Sequence, residues 1–293
     1  MQDDHLFIFG IGYSALAFAR RAAGRYGSIT GTVRSAEKAA SLRAEGVDAL
    51  LFDGVHATDE VRAALGRATH LVQSIAPDAA GDPALRLYAP DLRLSRALRW
   101  IGYLSTVGVY GDHAGGWVDE ATPPRAVSER SRNRVAAEAA WLMLGAEVGV
   151  PVALLRLAGI YGPGRNTFVN LAEGSARRLV KPGQVFNRIH VEDIAAIVAA
   201  AAEQRASGVF NVTDNEPAPP QEVVAFAAEL AGYPPLPDIP FESASLSPMA
   251  RSFYGENKRV SNARLSRDLG ITLAYPTYRD ALAALWTKGT WRG

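Results

Sequence analysis

A short apolar run, Leu6–Phe9, leads straight into Gly10-Ile11-Gly12-Tyr13-Ser14-Ala15, and this junction limits the possible folds more than any other feature of the chain. A G-x-G-x-x-A turn that opens a helix belongs to a strand-turn-helix unit. Gly10 permits the tight bend, Gly12 lets a pyrophosphate approach the backbone, and the small Ala15 lets the helix pack closely on the strand. The N–H groups around Tyr13 and Ser14, unpaired at the start of the helix, suit phosphates and are helped by the helix dipole. The competing reading is a turn that serves structure alone.

The rest of the chain repeats the unit. Leu6–Phe9, Ile29–Val33, Val47–Phe52, His70–Ile75, Trp100–Thr106, Val152–Leu157 and Val209–Val212 read as strands, continuous enough in apolar character to be buried on both faces, as parallel strands are. Tyr13–Ala23, Ala36–Ala44, Asp59–Leu65, Ala84–Leu98 and Ser128–Glu147 are rich in the strong helix formers Ala, Leu, Arg and Glu. Such alternation implies right-handed crossovers and an α/β fold, a Rossmann-like doubly wound parallel sheet. After Pro163 the pattern loosens and prolines gather at Pro217, Pro219, Pro220, Pro234, Pro235, Pro237 and Pro240, where neither inner strands nor helix interiors are expected. The expected organisation is a dinucleotide-binding domain over residues 1–165, to which 186–214 return, and a smaller substrate-side domain over 166–185 and 215–293.

Composition narrows the partners. The 31 basic and 30 acidic residues leave a net charge of +1, too little to gather nucleic acid or an anionic membrane, so a small molecule is the expected partner. With no cysteine in the chain, disulfides, thiol nucleophiles and thiolate metal sites are excluded. His5, His56, His70, His113 and His190 are scattered without zinc-like spacing, so no metal is expected, and no G-x-S-x-G elbow marks a serine hydrolase. Acids at Asp3 and Asp4 stand where a secretory leader carries positive charge, and no apolar run approaches the ~20 residues that span a bilayer. The expectation is a cytoplasmic protein that does not enter the membrane.

The choice of dinucleotide turns on the end of the second strand. An NAD site places a carboxylate there for the ribose 2′-hydroxyl, whereas this strand ends Thr32-Val33-Arg34-Ser35. A guanidinium and a hydroxyl can hold a 2′-phosphate, so the expected cofactor is NADP in preference to NAD. The alternative for Arg34 is a solvated residue at a helix start. Asp53, after the third strand, is placed to accept from the adenine amino group, and Ser74 to Pro77 to pass the adenosine ribose; ordinary turn contacts are the other reading of both.

Further segments carry a family resemblance: Leu104-Ser105-Thr106-Val107-Gly108-Val109-Tyr110-Gly111, Leu155-Arg156-Leu157-Ala158-Gly159-Ile160-Tyr161-Gly162-Pro163-Gly164, Ile189-His190-Val191-Glu192-Asp193, and Asn257-Lys258-Arg259-Val260-Ser261-Asn262 followed by Leu269-Gly270. With the glycine turn, they resemble the extended short-chain dehydrogenase/reductase superfamily, the NAD-dependent epimerases and dehydratases, over most of the chain. The resemblance implies Ile160 among the cofactor contacts, Thr106 as the group that orients substrate, and a homodimer through the helices Ala84–Leu98 and Ser128–Glu147. It also implies a Tyr-x-x-x-Lys pair on the long helix, where the lysine lowers the tyrosine pKa. That pair is absent. With Glu138 aligned to the acid that commonly follows the motif, Arg130 stands at the tyrosine position and Arg134 at the lysine position.

Arginine stays protonated at neutral pH and cannot serve as the general acid or base. Two readings of the pair follow: an i, i+4 clamp on an anionic substrate, or structural pairing with Glu138 or Asp119. Tyr110 and Tyr161 are the candidates to replace the missing proton donor, each open to a packing role instead, and His190 is a candidate substrate contact. Nucleotide-sugar members commonly carry Asn where Gly159 stands and Arg where Phe186 stands, so the resemblance argues against a UDP-sugar ligand, although Arg165, Asn166, Asn187 or Arg188 could supply other contacts and the substrate stays open. The expected function is an NADP-dependent oxidoreductase or epimerase-like enzyme with a non-standard active site, acting on a small anionic or carbonyl compound. A catalytically inactive NADP-binding sensor or interaction module is the alternative.

Overall fold

The structure, a computed structural model, describes residues 3–293; Met1 and Gln2, where the acidic opening segment begins, lie outside the described residues. Seven strands form one parallel sheet: β1 (His5–Phe9), β2 (Ser28–Val33), β3 (Asp48–Leu51), β4 (His70–Gln73), β5 (Trp100–Thr106), β6 (Val152–Leu157) and β7 (Gly208–Val212). Their order across the sheet is β7-β6-β5-β4-β1-β2-β3. All seven expected strands are present. The fourth stops at Gln73 because its side chain turns the chain off the sheet: the amide nitrogen donates to Asp82 at 2.7 Å, and the amide oxygen accepts from Ile75 N at 3.0 Å.

Along β1, Leu6 and Ile8 face one core while Phe7 and Phe9 face another, so the whole strand is apolar. Helices α1 (Tyr13–Ala22), α2 (Ala36–Ala44) and, further on, α7 (Val191–Glu203) cover the first face. The second lies under α3 (Asp59–Arg67), α4 (Pro83–Leu94) and α5 (Glu129–Val148). Asp82 caps α4 through Ala84 N and Leu85 N, and the helix ends at Leu94, short of the expected Leu98. Full burial of a large apolar side chain stabilises by roughly 1.5–3 kcal/mol, and Phe7, Phe9, Tyr88, Trp100 and Trp141 all reach it.

The smaller lobe has its own core, in which Tyr161 meets Phe168, Leu171, Val223, Ala227, Tyr278 and Leu282. It is built on α6 (Thr167–Ala172), α8 (Pro220–Leu230), α9 (Pro248–Phe253) and α11 (Tyr278–Thr287), with Arg178–Val180 paired to Asp238–Pro240. Part of the expected division is corrected here. α10 (Ala263–Leu269) packs on the large sheet, since Leu265, Leu269 and Leu273 join the first core and Arg264 donates to the Val209 carbonyl at 2.7 Å. Likewise Arg259–Val260 pairs with Trp117–Val118 rather than with the small lobe.

Parallel strands bring every carboxyl end to one edge. The chain reverses its winding between β1 and β4, and open α/β sheets bind ligands in the crevice outside that switch point. At the first turn Gly10 adopts φ +79°, and a Cβ there would sit 2.6 Å from Ile75 Cγ1. A second tight approach was not expected from the sequence: a Cβ on Gly31 of β2 would lie 2.3 Å from Ile11 Cδ1. Gly31→Ala should therefore cost about 1–3 kcal/mol by overpacking. Adding Ile11→Ala should recover part of that loss, as read by urea unfolding; additive losses would contradict the contact.

Candidate functional site

The mouth of α1 is built to receive an anion. Gly10 N donates to Thr32 Oγ1 and Ile11 N to the Thr32 carbonyl, both at 2.9 Å, which pins the turn to β2. The N-cap residue of α1 is Gly12, with no side-chain cap, and a Cβ on Gly12 would meet no atom within 4 Å. By contrast Ser35, Thr58, Asp82 and Ser128 cap α2 to α5 with side-chain oxygens. Free N–H groups facing open space fit the phosphates of a dinucleotide. Ser14 and Ala15 are buried behind them. The Tyr13 hydroxyl donates to the Pro163 carbonyl at 2.8 Å, fastening α1 to the loop after β6, and burial pushes its pKa up to about 12.

The other expected cofactor residues line the same edge. Arg34 is exposed and has no acidic partner among the described residues, while the Ser35 hydroxyl accepts from Lys38 N at 3.3 Å. Ser74 follows β4 across the crevice, its N–H bonded to the Phe9 carbonyl at 2.9 Å. Ile160, half-buried on Gly159–Tyr161, packs against the first core. Asp53 is committed to its own turn: Val55 N and His56 N donate to Oδ1 at 2.7 and 2.8 Å, and the His56 ring contacts Oδ2 at 2.7 Å. The imidazole first, then the two N–H groups, hold this carboxyl well below the usual range. Asp53 thus makes the contacts of the turn reading, and its exposed carboxylate keeps acceptor capacity beyond them.

Beyond the nicotinamide end, the expected proton donors are displaced. Tyr110 is fully buried and donates to Asn211 Oδ1 at 2.7 Å, with burial raising its pKa. Tyr161 is 9% exposed, and burial drives its phenol far above the neutral range. The Tyr110 hydroxyl is thus engaged by Asn211, whereas the Tyr161 hydroxyl is buried without a partner. Thr106 is half-buried at the end of β5; its Oγ1 accepts from Gly108 N at 3.1 Å, and its own proton has no protein acceptor among the described residues.

Nor do the two arginines form a clamp. Arg134 donates to the Leu104 carbonyl at 2.9 Å and to the Tyr103 hydroxyl at 3.2 Å, drawn to β5 instead of to a ligand. Arg130 is exposed and lies over the Phe253 ring at 5.0 Å, so only this member remains at the crevice between the lobes. Structural pairing with Glu138 or Asp119 is not found either.

Glu138 has another partner, one the sequence reading missed. Arg156 meets it through two hydrogen bonds of 3.1 and 2.7 Å, with both side chains about 95% buried, and Ser105 Oγ donates to the same carboxylate at 2.5 Å. Register explains the assembly: Ser105, Arg156 and Asn211 are direct neighbours on β5, β6 and β7, and such neighbours in a parallel sheet point to one face. The Arg156 guanidinium also lies 4.8 Å above the Tyr110 ring. The signal available was a charged residue inside the apolar run Val152–Leu157, which demands a buried partner. Glu138→Gln should strand that cation and cost about 3–5 kcal/mol in chemical denaturation. Wild-type stability in this variant would show that the pair holds nothing in place.

His190 is also corrected as a substrate contact. It is 1% exposed, caps α7 by accepting from Glu192 N on Nδ1 at 3.3 Å, and is packed between Tyr161 and Tyr275. Burial pushes its pKa from 6.5 down to about 4. The native state therefore refuses a proton that the unfolded chain accepts, so stability is full above pH ~6.5 and falls as the pH drops toward 4. The loss should reach about 2 kcal/mol by pH 5. His190→Asn, which keeps a capping oxygen, should flatten that slope in pH-dependent unfolding, and an unchanged slope would refute the assignment.

Fold and edge together define a Rossmann-like α/β protein. The sequence model of the NAD dependent epimerase/dehydratase family matches residues 92–213. A functionally unknown conserved protein from Silicibacter pomeroyi DSS is 46% identical and superposes with a TM-score of 0.88, covering 98% of this chain and 99% of that one. A Methylobacillus flagellatus protein assigned as an NAD-dependent epimerase/dehydratase is 28% identical, with a TM-score of 0.75 over 99% of both chains. This chain belongs to the NAD-dependent epimerase/dehydratase family.

Among curated proteins, Protein YeeZ of Escherichia coli K12 is 28% identical over 92% of this chain and 95% of its own length. The 3-diazoavenalumate denitrifying reductase of a Streptomyces species is also 28% identical, over 57% of this chain; the match spans 53% of that reductase. The dTDP-glucose 4,6-dehydratase of Bacillus anthracis, solved with NAD, shares the fold at 15% identity and a TM-score of 0.78. Members of the family bind NAD(P). Among the described residues, no helix is long and apolar enough to cross a membrane, and no group of three His, Cys, Asp or Glu could hold a metal.

Proposed function

We propose that this chain is an NADP-dependent reductase acting on a small molecule, with a proton step that no tyrosine of the chain performs. The carrying observation is the uncapped, open mouth of α1 beside an exposed, acid-free Arg34. Tyr13 and Ser14 would hold the pyrophosphate through backbone N–H groups, with Gly10 and Gly12 shaping the turn and clearing the approach, and Arg34 with Ser35 the 2′-phosphate. When bound and reduced, the cofactor supplies a hydride. Ile160 and its neighbours would wall the nicotinamide end, and Thr106 would orient the substrate through its uncommitted hydroxyl proton. The burial of Tyr110 and Tyr161 favours substrates whose reduction needs no strong general acid from the protein, and the Streptomyces denitrifying reductase supports a reductive reading.

One observation favours a second reading. With Tyr110 engaged by Asn211 and Arg134 by β5, neither is free to stand in for the family's tyrosine or lysine, as in a cofactor-holding sensor without chemistry. Calorimetric titration with NADPH and NADH tests the shared premise. Wild type should prefer NADPH, and Arg34→Ala should weaken NADPH by about 1–3 kcal/mol while leaving NADH unchanged. Equal affinities in wild type would remove the NADP assignment. Consumption of NADPH absorbance across a carbonyl and diazo panel, slowed by Thr106→Val, supports the reductase; tight binding with no turnover supports the sensor.

A further inference from the structure

Between the crevice and the small-lobe core lies a group of polar side chains that the proposed function does not use. Arg188 stands on Arg188–His190, which pairs in parallel with Gly159–Tyr161, so that Arg188 and His190 share the face of their partners Gly159 and Tyr161. Its Nη1 donates to the carbonyls of Phe186 and Ala218 at 2.9 and 3.1 Å. The other guanidinium N–H groups have no protein acceptor among the described residues, and no carboxylate comes within ion-pair distance. Arg188 is nevertheless only half-buried, so solvent reaches this cation although Tyr161, Tyr254, Tyr278 and Asp214 surround it.

Three of those neighbours hold unpartnered polar atoms. The hydroxyls of Tyr161 and Tyr278 and Oδ2 of Asp214 are buried without a hydrogen-bond partner, and Tyr278 and Asp214 are 0% and 1% exposed. The Tyr278 ring lies 5.9 Å from the guanidinium carbon. Asp214 lies two residues beyond the end of β7, and its N–H donates to the Arg188 carbonyl at 2.7 Å, so the acid and the base are fixed to each other through the backbone while their charged ends stay apart. Buried polar groups are normally satisfied, and several orphans converging on one solvent-reached cation mark a place where something else completes the hydrogen bonds.

We infer that Arg188 anchors the carboxylate of the substrate, with the Tyr161 and Tyr278 hydroxyls as further donors and Asp214 Oδ2 receiving a hydroxyl or amino group beside that carboxylate. A free guanidinium edge matches a carboxylate fork. A single cation with an acid close by favours a monoanion over a doubly charged phosphate. Burial raises the Asp214 pKa to about 7, so that near neutrality this acid only partly offsets the arginine. The inference deepens the proposed function and rests on it for placing the substrate beside Gly159–Tyr161. It also moves the expected anion contact from Arg130 and Arg134 to the strand Arg188–His190.

The test uses glycolate, acetate and inorganic phosphate as probes, titrated into the full chain by calorimetry, with NADPH binding measured separately. Glycolate should bind saturably and more tightly than acetate or phosphate. Arg188→Gln should weaken glycolate by about tenfold or more, with NADPH affinity unchanged. Undiminished glycolate binding in Arg188→Gln, preference for phosphate, or no saturable carboxylate binding would each overturn the inference. Should Arg188→Gln fail to fold, the 15N–1H signal of Arg188 Nε, identified by its loss in Arg188→Lys, must shift in wild type on adding glycolate; an unmoved signal overturns it equally. Glycolate binding without NADPH binding would sink the proposed function and leave the anion pocket standing, and the reverse result would do the opposite.

Discussion

The buried ion pair between Glu138 and Arg156 is the interaction on which the packing of α5 against β5 and β6 depends. Isolated, either charge would be too costly to bury; joined by two hydrogen bonds and seated with Ser105 and Tyr110, they lock α5 to β5 and β6. That lock sets where the first turns of α5 run, and therefore where Arg130 and Arg134 stand relative to the crevice. It also occupies Tyr110 indirectly, since the phenol is held between the Arg156 guanidinium and Asn211. A family motif residue is thereby spent on structure.

On the cofactor side, a different constraint operates. Parallel strands deliver the glycine turn, Arg34, Ser74, Thr106 and Ile160 to one edge, and Gly12 leaves the mouth of α1 clear. A cradle of backbone amides is insensitive to most side-chain changes, which explains how it persists where the tyrosine and lysine of the long helix have given way to arginines. The half-buried Arg188 with Asp214, Tyr161 and Tyr278 is unlike the Glu138–Arg156 pair on the sheet: that pair is closed by two hydrogen bonds, whereas this group keeps three buried polar atoms without partners.

Much of the fold was legible because its signals are local. The apolar runs located all seven strands, and the glycine turn located the cofactor crevice, since φ requirements and strand burial act within a few residues. The return of Ala263–Leu269 to the large sheet was not legible: an amphipathic helix shows that it has an apolar face, not which core receives it. Asp53 was placed correctly at the end of its strand, but the competition from two backbone N–H groups and His56 was decided by the turn.

By itself the sequence determined the sheet, the glycine turn at the start of α1 and the acid-free end of β2, because each follows from residue type and near neighbours. Tertiary structure alone decided the fate of the polar residues. Which arginine meets Glu138, which tyrosines are sealed away and which guanidinium stays open to solvent depend on cross-strand register and lobe packing between positions tens of residues apart, and the energy of a buried charge is set by that surrounding rather than by its place along the chain.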